Sequence, residues 1–247
     1  MTQVGELVAA LIDIMQKDAK CEYKPDDHEW HCNLEGDGGR LRTNIAKHLG
    51  VVEPKQVTSI DDVSATAWPS QAHHLIPWQQ LKGHPVTQWL AKSPPKGASK
   101  MFADSGYDVD HGNNGKFMPY SSALKEWAAA NAAGKTALSR KVMALAAMQL
   151  HQGPHSTKGY GVGECGYKTR VGEYLDAINN HALSHFAAPA PCADCEGKKQ
   201  NGKYPPRRNI VRYLDRASTY LEVDINLMRI YVSRRAAGFG ADGGIMY

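Results

Sequence analysis

No apolar run in this 247-residue chain is long enough to cross a bilayer, which excludes a helical membrane span within it. The first helix-like stretch lacks a basic n-region and carries Asp13, so it does not read as a cleavable signal peptide. If the protein leaves its cell, the expected route is one that needs no such leader. No internal repeat is visible, and nothing resembles a sequence-reading DNA-recognition module. Cysteine is sparse and odd in number, at 5, so at least one thiol has no partner within the chain. Cys192-Ala-Asp-Cys195 has zinc-knuckle or redox spacing, but no second CxxC accompanies it, and structural zinc takes four ligands. Cys21 and Cys32 bracket His28 and His31 and would complete a structural zinc site with Cys192 and Cys195 only if the two ends of the chain meet. Disulfides are the competing reading.

What is present describes a globular protein. Hydrophobic residues make up 42% and charged residues 22%, too apolar for a disordered chain and long enough to bury a substantial core. The formal net charge of +4 hides an asymmetry. Residues 1–66 carry 7 Lys+Arg against 12 Asp+Glu, residues 67–190 carry 12 against 7, and residues 191–247 carry 10 against 6. An acidic first segment thus precedes a basic body, which suits a polyanionic partner. Three domains are expected on this basis: an acidic helical or irregular segment over 1–66, a central domain over 67–190, and a basic helical extension with the CxxC over 191–247.

Helical spacing dominates. Apolar stripes predict helices over 2–19, 136–150, 167–187 and from 207 to about 231, with a short helix over 40–49 ended by Gly50. Residues 78–91 read as a helix interrupted at Gly83-His84-Pro85, and Ser121 or Ser122 as the cap of a helix ended by Gly134. Strands are few. The stretch 106–115 is polar and turn-rich and runs into a short strand at Lys116–Pro119.

The chain is organised around Gln71-Ala72-His73-His74-Leu75-Ile76-Pro77. Successive side chains on a strand leave opposite faces, so His73 and His74 cannot both face one pocket without a local twist. Adjacent imidazoles suit metal-assisted hydrolysis, where one holds a cation and its neighbour takes a proton from water. Paired histidines on a solvated loop are the plainer alternative. Two further pieces could converge with the pair: Asn114 before the return strand, and His151 and His155 at a helix end.

Those three motifs, Ala72-His73-His74-Leu75-Ile76-Pro77, then Asp108 to Asn114-Gly115-Lys116-Phe117-Met118-Pro119, then His151-Gln152-Gly153-Pro154-His155 with Tyr160, resemble the AHH family. These are toxin nucleases of the HNH/endonuclease VII superfamily, found among secreted bacterial effectors. The resemblance covers roughly residues 70–175. It implies an α+β, mainly helical fold in which a small ββα-metal nuclease core carries helical N- and C-terminal additions, with residues 78–105 as an insertion.

The resemblance further implies His74 as general base and His73 as a first metal ligand. Asn114 would be a second ligand or would orient the base, His155 a third ligand, and His151 a catalytic helper or phosphate contact. The implied activity is metal-dependent, non-specific DNA endonuclease chemistry with Mg2+, or Mn2+, Ni2+ or Zn2+ in its place. The implied setting is an antibacterial effector, held in the bacterial cytoplasm and then delivered by a secretion system into a target cell. An acidic immunity protein would partner it, and no membrane role is expected. Lys92, Lys96, Lys100, Lys116 and Lys158 are the candidates for contacts with DNA phosphates. Two other readings stay open: a ribonuclease toxin of the same fold, and a zinc-stabilised nucleic-acid-binding module that does not cut. Locally, Asn113-Asn114-Gly115 could be a plain type I′ turn, and His151 a cap on its helix.

Overall fold

The computed structural model describes residues 6–17, 32–90, 105–151, 155, 166–186 and 208–241. They fall into two compact units, and each unit draws on early, middle and late parts of the chain. The first comprises Met1–Gly36, Ile76–Asp110 and Val171–Tyr220; the second comprises Asp37–Leu75, His111–Arg170 and Leu221–Tyr247.

The first unit is helical. Helix α1 (Glu6–Lys17) buries Leu11 and Met15, two members of the stripe seen in the sequence. The interruption at Gly83-His84-Pro85 is real. A one-turn helix, Trp78–Lys82, stops there, and the ring of His84 accepts the Val86 N–H at 3.2 Å to open a 3-10 turn, Pro85–Trp89. Trp89 is buried and its indole N–H donates to Asn179 at 3.0 Å, on a helix that runs Tyr167–Phe186.

The second unit holds the sheet. Strand β1 (Ser70–His74) pairs antiparallel with β2 (Gly115–Pro119), in a register that sets Ala72 opposite Phe117, His73 opposite Lys116 and His74 opposite Gly115. Helix α2 (Gly38–Leu49) packs on both strands. Asp37 caps it by accepting the Arg40 N–H at 2.8 Å, and Gly50 ends it at φ 64°, a conformation that favours glycine. The helix lies so close to the sheet that a Cβ on Gly115 would come within 2.5 Å of Ile45 and 2.7 Å of Leu41. Arg42 on α2 donates to Glu53 and to the Ser70 carbonyl at 3.0 Å, which fixes where β1 begins.

Three more helices complete this unit: Lys125–Ala129 (α3), Ala132–Ala146 (α4) and Arg234–Ala241 (α5). Its core joins Leu41, Ile45, Trp68, Ala72, Phe117, Val142, Met143 and Leu150 to Tyr231, Ala236 and Ala237 from the C-terminal stretch. The result is a mainly helical α+β protein with a two-stranded antiparallel sheet, as a ββα core with added helices requires. Among the described residues, no helix is long and apolar enough to cross a membrane.

Three local expectations change. The helix expected from a cap at Ser121 or Ser122 to an end at Gly134 is instead a 3-10 turn, Ser121–Ala123, then α3, then the start of α4. Asn131 accepts the Gly134 N–H at 2.8 Å and so starts α4, which places Gly134 inside a helix instead of at its end. Asn113-Asn114 is not a type I′ turn. Neither residue has positive φ, and they form a 3-10 turn, Gly112–Asn114, capped by the ring of His111. Helix α4 stops at Ala147 in the left-handed conformation (φ 49°), so His151 caps nothing there.

Candidate metal centre

Strand β1 runs without a bulge to His74, so Gln71 and His73 leave one face of the sheet and Ala72 the other, with His74 at the strand's end. The Ala72 face meets α2. On the His73 face, Tyr167 stands with its ring centroid 5.4 Å from that of His73, and its hydroxyl donates to the carbonyls of His74 and Leu75 at 2.8 and 2.7 Å. Tyr167 therefore holds the end of the strand where the two histidines sit. Burial pushes its phenol well above the usual range, so it stays a donor.

The other two histidines arrive on the stretch that follows α4, pinned by backbone and amide bonds. The His151 N–H donates to the Pro119 carbonyl at the end of β2, at 2.9 Å. Two residues earlier, the buried Gln149 amide donates to the carbonyls of Ile225 and Ile230, both at 2.7 Å, and its oxygen accepts the Val232 N–H at 2.9 Å. His155 forms a β-bridge with Ser233, whose hydroxyl donates to the Leu150 carbonyl at 2.8 Å. The C-terminal stretch thus clamps the segment carrying both histidines.

These placements bring His73, His151 and His155 together, with one ring nitrogen from each lying within 4.8 Å of the others. Among the described residues, they are the one such group of three or more His, Cys, Asp or Glu side chains. The ring centroids of His73 and His151 are 4.3 Å apart, and those of His73 and His155 are 5.4 Å apart. Gln71 Oε1, which can only accept, lies 3.2 Å from His151 Nδ1, so that nitrogen carries the proton and Nε2 presents its lone pair. His151 Nε2 is 3.3 Å from His155 Nε2, so without a cation one neutral ring has to donate to the other. His73 is 2% exposed, and its Nε2 is buried with no hydrogen-bond partner.

Burial keeps the cluster neutral. It drives His73 well below the ordinary imidazole range, helped by the charges of His151, His155, His74 and Lys116. Burial, then His155 and His74, lowers His151 to about 4. His155 is lowered by burial and by the exposed Lys168. Three deprotonated nitrogens converging on one point, one of them an orphaned buried acceptor, fit a divalent cation. Imidazole suits such ions, and His73 Nε2 would otherwise stay buried without a partner.

The remaining expected residues are placed as follows. His74 is half-buried at the end of β1, near enough for its charge to act on both His73 and His151. Asn114 is 1% exposed and its carbonyl accepts the Leu75 N–H at 2.8 Å, which locks the turn before β2 to the residue after His74. Lys116, opposite His73, is largely buried and donates to Glu222 at 2.8 Å. Cys32 is half-buried; Cys21, Cys192, Cys195, Lys92, Lys96, Lys100 and Lys158 lie outside the described residues. Sequence reasoning passed over Gln71, Gln149 and Tyr167. Only Gln71 had a signal: it stands two residues before His73 and so shares its face.

The two-stranded sheet ends its first strand in a His-His pair, and two later histidines fold back onto it to make a group that could hold a metal ion. The chain belongs to the AHH family, a nuclease family of the HNH/ENDO VII superfamily with conserved AHH, whose model matches residues 60–185. Ala72-His73-His74 supplies that signature. No curated protein and no solved structure matches the chain.

Proposed function

We propose that the chain is a DNA endonuclease in which His73, His151 and His155 hold one divalent cation and His74 is the general base. The observation that carries this reading is the convergence of three neutral ring nitrogens beside a fourth histidine left half-exposed. When bound, the cation supplies charge stabilisation at the phosphoryl and leaving oxygens. His74 accepts the proton of the attacking water, and the carbonyl bonds from Tyr167 keep its backbone in place. Asn114, closing the turn beside His74, orients the base, while His151 serves as a ligand as well as a helper. An all-imidazole donor set favours Zn2+ or Ni2+ over Mn2+ and Mg2+, which prefer oxygen. Lys92, Lys96, Lys100 and Lys158 would meet flanking phosphates, and Lys116 could do so on leaving Glu222.

The family resemblance supports a wider reading: an antibacterial effector, delivered by a secretion system and restrained in its producer by an acidic immunity protein that meets a basic face. A structural zinc on Cys21, Cys32, Cys192 and Cys195 is a separate proposal, tested by zinc content in a chain lacking the histidine cluster. The central test is incubation of plasmid DNA and structured RNA with the protein, each divalent ion in turn, and chelator. Cation-dependent nicking of plasmid that His74→Ala abolishes is expected. Cutting of RNA alone would replace DNA as substrate, and chelator-insensitive cutting would overturn the cation's role.

A further inference from the structure

On the same unit as the histidine cluster, helices α3, α4 and α5 pack together and present an unusual group of charges. The ring of Trp127 on α3 lies between two cations: Lys135 Nζ is 5.6 Å and the Arg235 guanidinium 4.9 Å from its centroid. Lys125 and Arg234, on the same helices, are exposed. Among the described residues, none of these four cations forms an ion pair, whereas Lys17, Arg42, Lys82, Lys116 and Lys141 each have a carboxylate. The one acid on the three helices is Glu126. It accepts from the Ser59 hydroxyl at 2.7 Å and from the Ile60 N–H, bonds that lower its pKa, and Lys125 is near enough for its charge to help lower it. Bringing like charges to one ring costs energy in the free protein. The negative ring face offsets part of that cost, and a bound anion would offset more.

We propose that Trp127, Lys135 and Arg235, flanked by Lys125 and Arg234, form a docking surface for the phosphate backbone of the nucleic acid, apart from the histidine cluster. Trp127 is the support that holds two phosphate-binding cations side by side. The identity of the polyanion rests on the nuclease reading above. Spacing suits the role. Pro119, whose carbonyl bonds His151, is six residues before Lys125, so their Cα atoms are at most about 21 Å apart. That span is about six phosphates along one duplex strand. A backbone held at Lys125 is therefore no farther than that from the strand end that His151 bonds.

The test is fluorescence anisotropy of a labelled duplex two helical turns long, DNA in one arm and RNA in the other, with excess chelator so that nothing is cut. In Lys135→Ala/Arg235→Ala, the slope of log affinity against log salt should shrink by about 2, and affinity at moderate salt should fall roughly tenfold. Lys135→Arg/Arg235→Lys should keep the wild-type slope, and Lys125→Ala/Arg234→Ala, at exposed positions, should also shrink it. Lys17→Ala, which removes an ion-paired cation elsewhere, should leave it unchanged. A loss in both arms assigns the surface to the backbone shared by the two duplexes, and a loss in one names the source. Wild-type slope and affinity in both arms for the Ala variants would overturn the proposal and leave an acidic protein as the occupant. Because no cleavage is read, this failure is distinct from failure of the plasmid assay.

Discussion

The histidine cluster and the tryptophan patch are both built around basic side chains, and they use those side chains in opposite ways. At the cluster, burial removes the charge: His73, His151 and His155 are held deprotonated, so what converges is lone pairs. At the patch, Trp127 steadies two half-buried cations, Lys135 and Arg235, beside each other. The first suits a small cation and the second a polyanion. His73 and His74 repeat the contrast at atomic scale, one buried and the other half-exposed at the next position in the strand. Neighbouring titratable groups in unlike environments are how one site assigns separate ligand and base roles.

The largest expected effect tests that last distinction. His74→Ala should lower kcat on plasmid by about 10^3-fold while cation affinity and duplex affinity in chelator change little. A fall in cation affinity as large as the fall in rate would make His74 a ligand and erase the contrast with His73. Next in size is the clamp on the histidine segment. Gln149→Leu strands the carbonyls of Ile225 and Ile230 and the N–H of Val232 in the interior, and should cost about 3 kcal/mol of stability in denaturant titrations. Gln71→Leu is milder. It frees His151 to take the other tautomer and should weaken cation binding roughly 10- to 100-fold by calorimetry, leaving stability near wild type.

The sequence disclosed the parts of the site better than their support. Three motifs in family order named all four histidines, because imidazole pairs beside apolar and proline residues leave a local imprint. The helices were legible for a similar reason: the stripe through Leu11 and Met15 and the stop at Gly50 are short-range signals. What holds the histidines in place is long-range. Gln149 reaches residues 76 and 81 positions away, and Tyr167 bonds carbonyls more than 90 positions back. Neither contact has a period or a motif. The C-terminal residues that clamp the segment also lie beyond the 60–185 family match, so the core motif is completed by chain outside it. The helix expected to end at Gly134 failed at short range: a glycine there signals a terminator, but Asn131, three residues earlier, is the stronger signal.

The smallest effects discriminate most sharply, because the two regions should respond to different variables. An imidazole with a depressed folded-state pKa is more readily protonated in the unfolded chain. The cluster's contribution to stability is therefore complete above about pH 6.5 and is lost as pH falls toward the folded value, about 4 for His151. In chelator, unfolding free energy should decline across that window by up to about 1.4 kcal/mol per pH unit for each histidine, and His151→Gln should flatten the curve. Added cation should steepen the loss, since protons and cation compete for the same lone pairs. Salt should hardly move any of this, because the cluster is buried. Duplex binding in chelator should behave inversely. It should fall steeply with salt, and the share owed to Lys135 and Arg235 should stay level from pH 5 to 8. Loss of that share across the histidine window would mean that duplex and cation report on one site, and the division between neutral lone pairs and charged side chains would not hold.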